Sequence, residues 1–223
     1  MLDTKYRCEF LLPLFRNEAA ETLGGLKFYL RTLEEFINRE RTQEISELEQ
    51  HIEQWTPDQQ SEFWAWHYPV HWDQIFASQL RSSFVVTLMS LAESHVRTVV
   101  EQACAIAGPP ISRDELHHSP LEQQRSRLRK RAGFTRPDAK NWASLYDIRA
   151  IRNCIVHADG AVYGDKKPDR LRSLIPTLPG ISAPHDVIEL SPEFPLHSLT
   201  TVEGFITALY EEASALCQRV DSQ

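Results

Sequence analysis

The 223-residue chain lacks the spacings on which several common chemistries depend. Its four cysteines, Cys8, Cys104, Cys154 and Cys217, contain no Cys-x-x-Cys pair, a pattern expected of free thiols rather than of a disulfide or zinc framework. Glycines nowhere cluster into a phosphate-binding loop or a dinucleotide fingerprint, and no Gly-x-Ser-x-Gly elbow occurs, so kinase, dehydrogenase and hydrolase readings have no footing. The longest nearly apolar run, Phe84 to Ala92, is nine residues. A bilayer crossing needs roughly 20, so no membrane span is expected. The N-terminus also lacks the basic-then-apolar layout of a secretory signal. These absences lead to the expectation of a cytoplasmic chain with reduced cysteines, no cofactor and no metal.

What is present is an average globular composition, 42% hydrophobic and 25% charged, which excludes disorder over most of the length. With 24 Lys and Arg against 31 Asp and Glu the net charge is −7, which argues against broad, non-specific nucleic-acid binding. A local exception runs from Arg113 to Lys140, where eight basic residues face four acidic ones. Its Arg125, Arg129 and Lys130 are candidate RNA-backbone contacts, although arginines at 125, 127 and 129 spread around a helix and equally suit a solvated face.

Proline divides the chain. Residues 1–108 carry only Pro13, Pro57 and Pro69, whereas six prolines fall between Pro168 and Pro195, so the first region can be helical and residues 161–197 read as non-helical. Apolar positions 23, 26, 30, 33, 37, 45, 48, 52 and 55 form the stripe of one long amphipathic helix from about Leu14 to Trp55, which Gly24-Gly25 weakens. Thr56-Pro57 then caps a short helix. Four of the five tryptophans (55, 64, 66, 72) follow, a concentration expected of a packing joint between the leading helix and the main body.

From about Asp73 to Ala107 the apolar arc covers almost half the circumference, which marks a central helix packed on more than one side. His95 falls inside that arc and reads as a hydrogen-bonded core histidine. Ser112 is expected to cap a short helix; further helices follow at about 120–131, 139–158 and 198–220, with a short strand at 187–190. His67 and His71 have the spacing of a helical metal pair, but Pro69 separates them and no third ligand completes a site. The fold class is all-α: a bundle of four to five helices with a long N-terminal amphipathic helix and a Pro-rich, β-hairpin-like excursion before the last helix. A boundary near residue 72 separates an N-terminal extension (1–72) from the bundle (73–223).

The most informative stretch is Asn141 to Gly160. It sets Arg152 and Asn153 among Leu145, Ile148, Ile151, Ile155 and Val156 and ends the helix just past His157. An always-charged guanidinium in apolar surroundings needs an anionic partner, either a structural carboxylate or a substrate. An Arg five residues before a His means little by spacing alone. Arg113 and His118 repeat it in a charged, Pro-flanked segment where a solvated role suffices.

With this context, Arg152-Asn153-Cys154-Ile155-Val156-His157 resembles the hallmark of the HEPN superfamily, an Arg, a polar residue and then a His on the penultimate long helix of a small bundle. Trp142, Gly160, the broad helix carrying Leu91-Ala92-Glu93, and the short strand and final helix extend the likeness over about residues 73 to 220. The resemblance implies a metal-independent endoribonuclease, a toxin or an antiviral defence effector, acting as a homodimer on RNA and controlled by an antitoxin or regulatory protein. It implies that His157 moves a proton while Arg152 holds phosphate oxygens, with Asn153 assisting. In some members a Tyr two positions after the His is modified by a partner nucleotidyltransferase; Asp159 stands here instead.

Helix geometry supports the dimer independently. Five residues turn about 140° net and rise about 7.5 Å, so Arg152 and His157 of one chain do not converge on one small group. Several roles stay open. Asn153 either orients His157, binds a sugar or phosphate oxygen, or makes an interface hydrogen bond. Glu93 either steadies Arg152 or sits on a solvated helix edge, and Asp159 is either a second acid or an exposed helix end. The opposing function is a catalytically silent HEPN-like module that binds a nucleotide or a partner.

Overall fold

Apolar residues at three-four spacing make one continuous rod of the N-terminal segment. In the computed structural model, which describes residues 3–108 and 120–222, helix α1 (Leu12–Ile52) follows a helical turn Thr4–Tyr6 and a π-helical turn Arg7–Leu11. Gly24-Gly25 does not interrupt it. Helix α2 (Pro57–His67) starts from Thr56, whose hydroxyl accepts from the Gln59 amide at 3.4 Å while Gln59 Oε1 accepts from the Thr56 amide at 3.0 Å. A π-helical turn, Trp72–Ala77, leads into α3 (Ser78–Ala107). Then come α4 (Leu121–Arg131), α5 (Ala139–Ala158), α6 (Pro168–Leu174), the strands β1 (Ile181–Ser182) and β2 (Glu189–Leu190), and α7 (Glu193–Asp221). The strands pair antiparallel with Ile181 opposite Leu190. The Ser112-capped helix and the Arg113/His118 pair lie outside the described residues.

The fold is all-α apart from this hairpin. Helix α3 runs through the centre: Val85, Leu88, Met89, Ala92, Val96 and Val99 are fully buried. It packs most extensively against α7, whose Phe205 also takes Trp142 of α5 edge-on at 4.8 Å. His95 is buried, with Nδ1 2.8 Å from the Tyr210 hydroxyl. Burial lowers its pKa, against the opposing pull of Glu18.

Within Pro57–Ala107 one 18-residue window reaches a mean hydropathy of 1.3, enough by length and composition alone to cross a membrane. A buried core helix passes that test as readily as a membrane span does, so it does not overturn the expectation drawn from the longest unbroken apolar run. The apolar side chains of α3 are those that form the core of the bundle.

Leu12, Ala19, Leu23 and Leu30 of α1, within the N-terminal extension, join the cluster built by α3, α5 and α7. Arg81 of α3 reinforces that union by pairing with Glu34 of α1 at 2.7 and 2.9 Å while donating to the Leu190 carbonyl at 2.9 Å. Three expectations need correction. First, Cys8 and Cys217 form a disulfide that ties the start of the chain to the end of α7, whereas Cys104 and Cys154 are unpaired and buried. Secondly, the proline-rich segment does contain helix: Pro168 opens α6, and α7 begins at Glu193 with Pro195 in its first turn. Amides there have no intrahelical partner to lose. Finally, the tryptophans are not one joint. Trp72 packs on the small Ile37, Ala77 and Leu80 cluster and donates to Glu44 at 2.6 Å, but Trp66 is 82% exposed.

Candidate active site

Helix α5 is built to carry a site. Asp138 accepts from the Asn141 amide at 2.8 Å and Asn141 returns the bond, fixing its start. At the far end Asp159 adopts the left-handed conformation (φ 52°, ψ 36°) and the Gly160 amide donates back to the Cys154 carbonyl at 3.1 Å. Leu145, Ile148, Ile151 and Cys154 anchor the helix in the core at full burial. Tyr146, Ala150, Asn153 and His157, at three-four spacing, look instead into a groove of about 690 Å³.

The other wall of this groove is the turn Gly164 to Lys167 and the first residues of α6, including Arg170. A Cβ on Gly164 would stand 3.2 Å from that of Ala158, a tight contact, so a larger residue here would need the turn or the end of α5 to give by a few tenths of an ångström. A second recess of about 520 Å³ shares Glu122 and Tyr146 with the first and brings in Arg125, Arg129 and Lys130. The three basic residues singled out on α4 therefore adjoin the recess that holds Asn153 and His157.

Charge is uneven within the groove. Arg149 is neutralised by Glu93 at 2.9 Å and Glu122 at 3.6 Å, and Arg170 faces Asp147 at 3.5 Å. Lys166 and Lys167 form no ion pair among the described residues and are exposed. Burial raises the pKa of Tyr146, and the Glu122 carboxylate pushes the same way against Arg125, so its phenol is held in the neutral form. The lining sets Arg149, Lys166, Lys167 and Arg170 against Glu122 and Asp165, so on a chain of net charge −7 the two lysines without an ion pair are its local attraction for an anion.

Each residue of the sequence motif has a definite place. His157 is exposed in the groove. Asn153 also lines it, but its Oδ1 accepts from Arg152 Nη1 at 3.1 Å. Arg152 itself does not line the groove; it is half-buried, and its Nε is buried without a hydrogen-bond partner. Glu93 does not steady Arg152, because its carboxylate belongs to Arg149. Asp159 is exposed, ends the helix and stays outside the groove lining.

Lys166, Lys167 and Arg170 were missed as site residues because proline density marked their segment as a loop. The adjacent lysines just beyond the motif were the available signal. Arg149 was equally legible, four residues before Asn153 and eight before His157.

Neither histidine of the spaced pair is placed with a metal-ligand set: His67 Nδ1 lies 3.0 Å from the Phe63 carbonyl, and His71 faces Glu44 at 3.3 Å. Among the described residues no three His, Cys, Asp or Glu side chains are grouped to hold a metal. No family model matches this chain, and comparison with curated proteins and with solved structures returns no significant match.

Proposed function

We propose that this chain is a metal-independent endoribonuclease of HEPN type. The observation that carries the reading is the placement of His157 and Asn153 in a groove whose other wall supplies unpaired lysines. Imidazole is the side chain best suited to proton transfer near neutral pH, and the neighbouring lysines suit a phosphodiester. In the proposed reaction His157 takes the proton of a ribose 2′-hydroxyl as that oxygen attacks the adjacent phosphorus. The bond to the 5′-oxygen breaks, and a protonated imidazole returns a proton to the leaving oxygen. The products are a 2′,3′-cyclic phosphate and a 5′-hydroxyl.

Arg152 would then hold the phosphate oxygens as charge builds, a contribution of several kcal/mol when the donor is preorganised. Because Arg152 faces away from His157, this reading brings two copies of the chain together, so that Arg152 of one serves His157 of the other. The unpartnered Nε of Arg152 and the exposed Val156 one turn further along the same face support a covered surface here. A toxin or antiviral effector restrained by an antitoxin or regulatory protein is the biological role this activity suits. Action on cellular RNA would place it in the cytoplasm, a setting in which the Cys8–Cys217 bond is unusual.

The direct test is incubation of purified protein with RNA in EDTA. Cleavage leaving cyclic phosphate ends, abolished in folded His157→Ala and Arg152→Ala variants, supports the enzyme. Intact RNA rejects it. One observation favours a second reading: Arg152 is spent on Asn153 and stands outside the groove, as expected of a silent module that binds a nucleotide or a partner. In that case RNA or nucleotide binds without being cut.

A further inference from the structure

The wall formed by residues 162–170 has no counterpart in the Arg and His motif, yet it too is held in place by its own contacts. Val162 is fully buried, and Gly164 lies against Ala158, one residue past His157. The Gly164 amide donates to the Ala161 carbonyl at 3.0 Å and the Asp165 amide to the Val162 carbonyl at 3.2 Å. The Asp165 carboxylate accepts from the Lys167 amide at 2.7 Å, so it shapes the turn instead of pairing with a lysine. The turn thus presents Lys166 and Lys167 to the groove without an ion pair among the described residues. Beside it, Tyr163 is 70% exposed, with Val162 buried on one side and Gly164 at the groove edge on the other.

At the opposite end, past Tyr146, stand Arg129 and Lys130, also without ion pairs among the described residues. Along α5 the eleven steps from Tyr146 to His157 span about 16 Å. Unpaired cations at both ends and His157 within reach of one of them describe a track for an extended polyanion. An exposed aromatic ring beside a basic groove is the combination used for single strands, whose unstacked bases offer a face to stack on. A duplex hides those faces.

We propose that the groove takes single-stranded RNA, with Lys166 and Lys167 holding backbone phosphate beside the scissile linkage and Tyr163 stacking on an unpaired base. This rests on the endoribonuclease reading of the same groove. Arg149 is not part of the grip, because Glu93 and Glu122 neutralise it.

The test measures fluorescence anisotropy of a labelled single-stranded RNA, and of the same strand annealed to its complement, over a series of salt concentrations. All proteins carry His157→Ala so that binding is read without cutting. Removing both lysines (K166A/K167A) is expected to reduce the slope of log affinity against log salt by about 1 to 1.5, because each phosphate neutralised on a single strand contributes about 0.7. Tyr163→Ala is expected to weaken binding about 5- to 100-fold with the slope unchanged, and Tyr163→Phe to bind as the parent does. Lys27→Ala, at an exposed position of α1, should change neither.

An unaltered slope in the lysine variant, an unaltered affinity in Tyr163→Ala, or tighter binding of the duplex would overturn the proposal. The substituted side chains are exposed, and equal thermal melts establish that each variant is folded. If the parent binds RNA and the unsubstituted protein cuts it while these variants behave like the parent, only the assignment of this wall fails. If the parent binds no RNA in any form, the endoribonuclease reading falls with it.

Discussion

Arg152 and His157 stand on one helix and face different surroundings: the imidazole opens into the groove, while the guanidinium bonds Asn153 Oδ1 at 3.1 Å and buries an unpartnered Nε. The two are about 140° apart around the helix axis. If both act on one phosphate, they come from different chains.

That arrangement predicts complementation. Arg152→Ala and His157→Ala chains are each expected to be inactive alone. Mixed and allowed to exchange subunits, half of the symmetric dimers are hybrids, and each hybrid holds one intact pair. The RNase rate should recover to about one quarter of that of the unsubstituted protein. No recovery, in a mixture whose hybrids are verified by tagged pull-down, would place both side chains in one protomer or leave Arg152 without a catalytic role.

Arg149 gives a prediction about stability. Its Nε lies 2.9 Å from Glu93 and its Nη1 3.6 Å from Glu122, and the Arg149 and Glu93 side chains are 29% and 26% exposed. Glu93→Gln should cost about 1 kcal/mol in urea unfolding, less than a fully buried pair because water still reaches both groups. The same change frees positive charge in the groove, so RNA binding should tighten at low salt. Weaker binding with an unchanged urea midpoint would contradict both halves of this account.

Much of this was legible in the residues because the physics is local. The bounds of α5 follow from Asp138 and Asn141 at one end and Asp159-Gly160 at the other, all near in sequence. The burial of His95 follows from its place in the apolar arc of α3. Contacts between distant segments were not legible. Nothing in the spacing of Cys8 and Cys217 announces their bond across 209 residues, and nothing near Glu93 selects Arg149 over Arg152. Proline density misled at α6 and α7, because a proline in the first turn of a helix opposes nothing.

The Cys8–Cys217 bond gives a third expectation. It closes nearly the whole chain, so its main effect is to restrict the unfolded ensemble. Cys8→Ser/Cys217→Ser should lower unfolding stability by about 2–4 kcal/mol. The bonded residues lie outside the groove lining, so RNA cleavage at 25 °C should persist in the double variant. A reductant should produce the same stability loss in the unsubstituted protein and none in the variant. Equal urea midpoints with and without reductant, in protein whose free thiols have been counted, would remove the stabilising role.

The buried His95–Tyr210 pair sets an acid limit on the fold. Burial lowers the His95 pKa from 6.5, and Glu18, the carboxylate pulling the other way, does not overcome it. In the unfolded chain the imidazole titrates near its ordinary value, so as pH falls below about 6.5 the unfolded state takes up the proton first. The stability contribution is therefore complete above that pH and declines below it. Tyr210→Phe leaves the imidazole without its 2.8 Å partner and should cost about 1 kcal/mol at pH 7.5. His95→Phe/Tyr210→Phe removes both polar groups, and its urea midpoint should fall less between pH 7.5 and 5.5 than that of the unsubstituted protein. Parallel curves for the two proteins would assign the acid sensitivity to other groups.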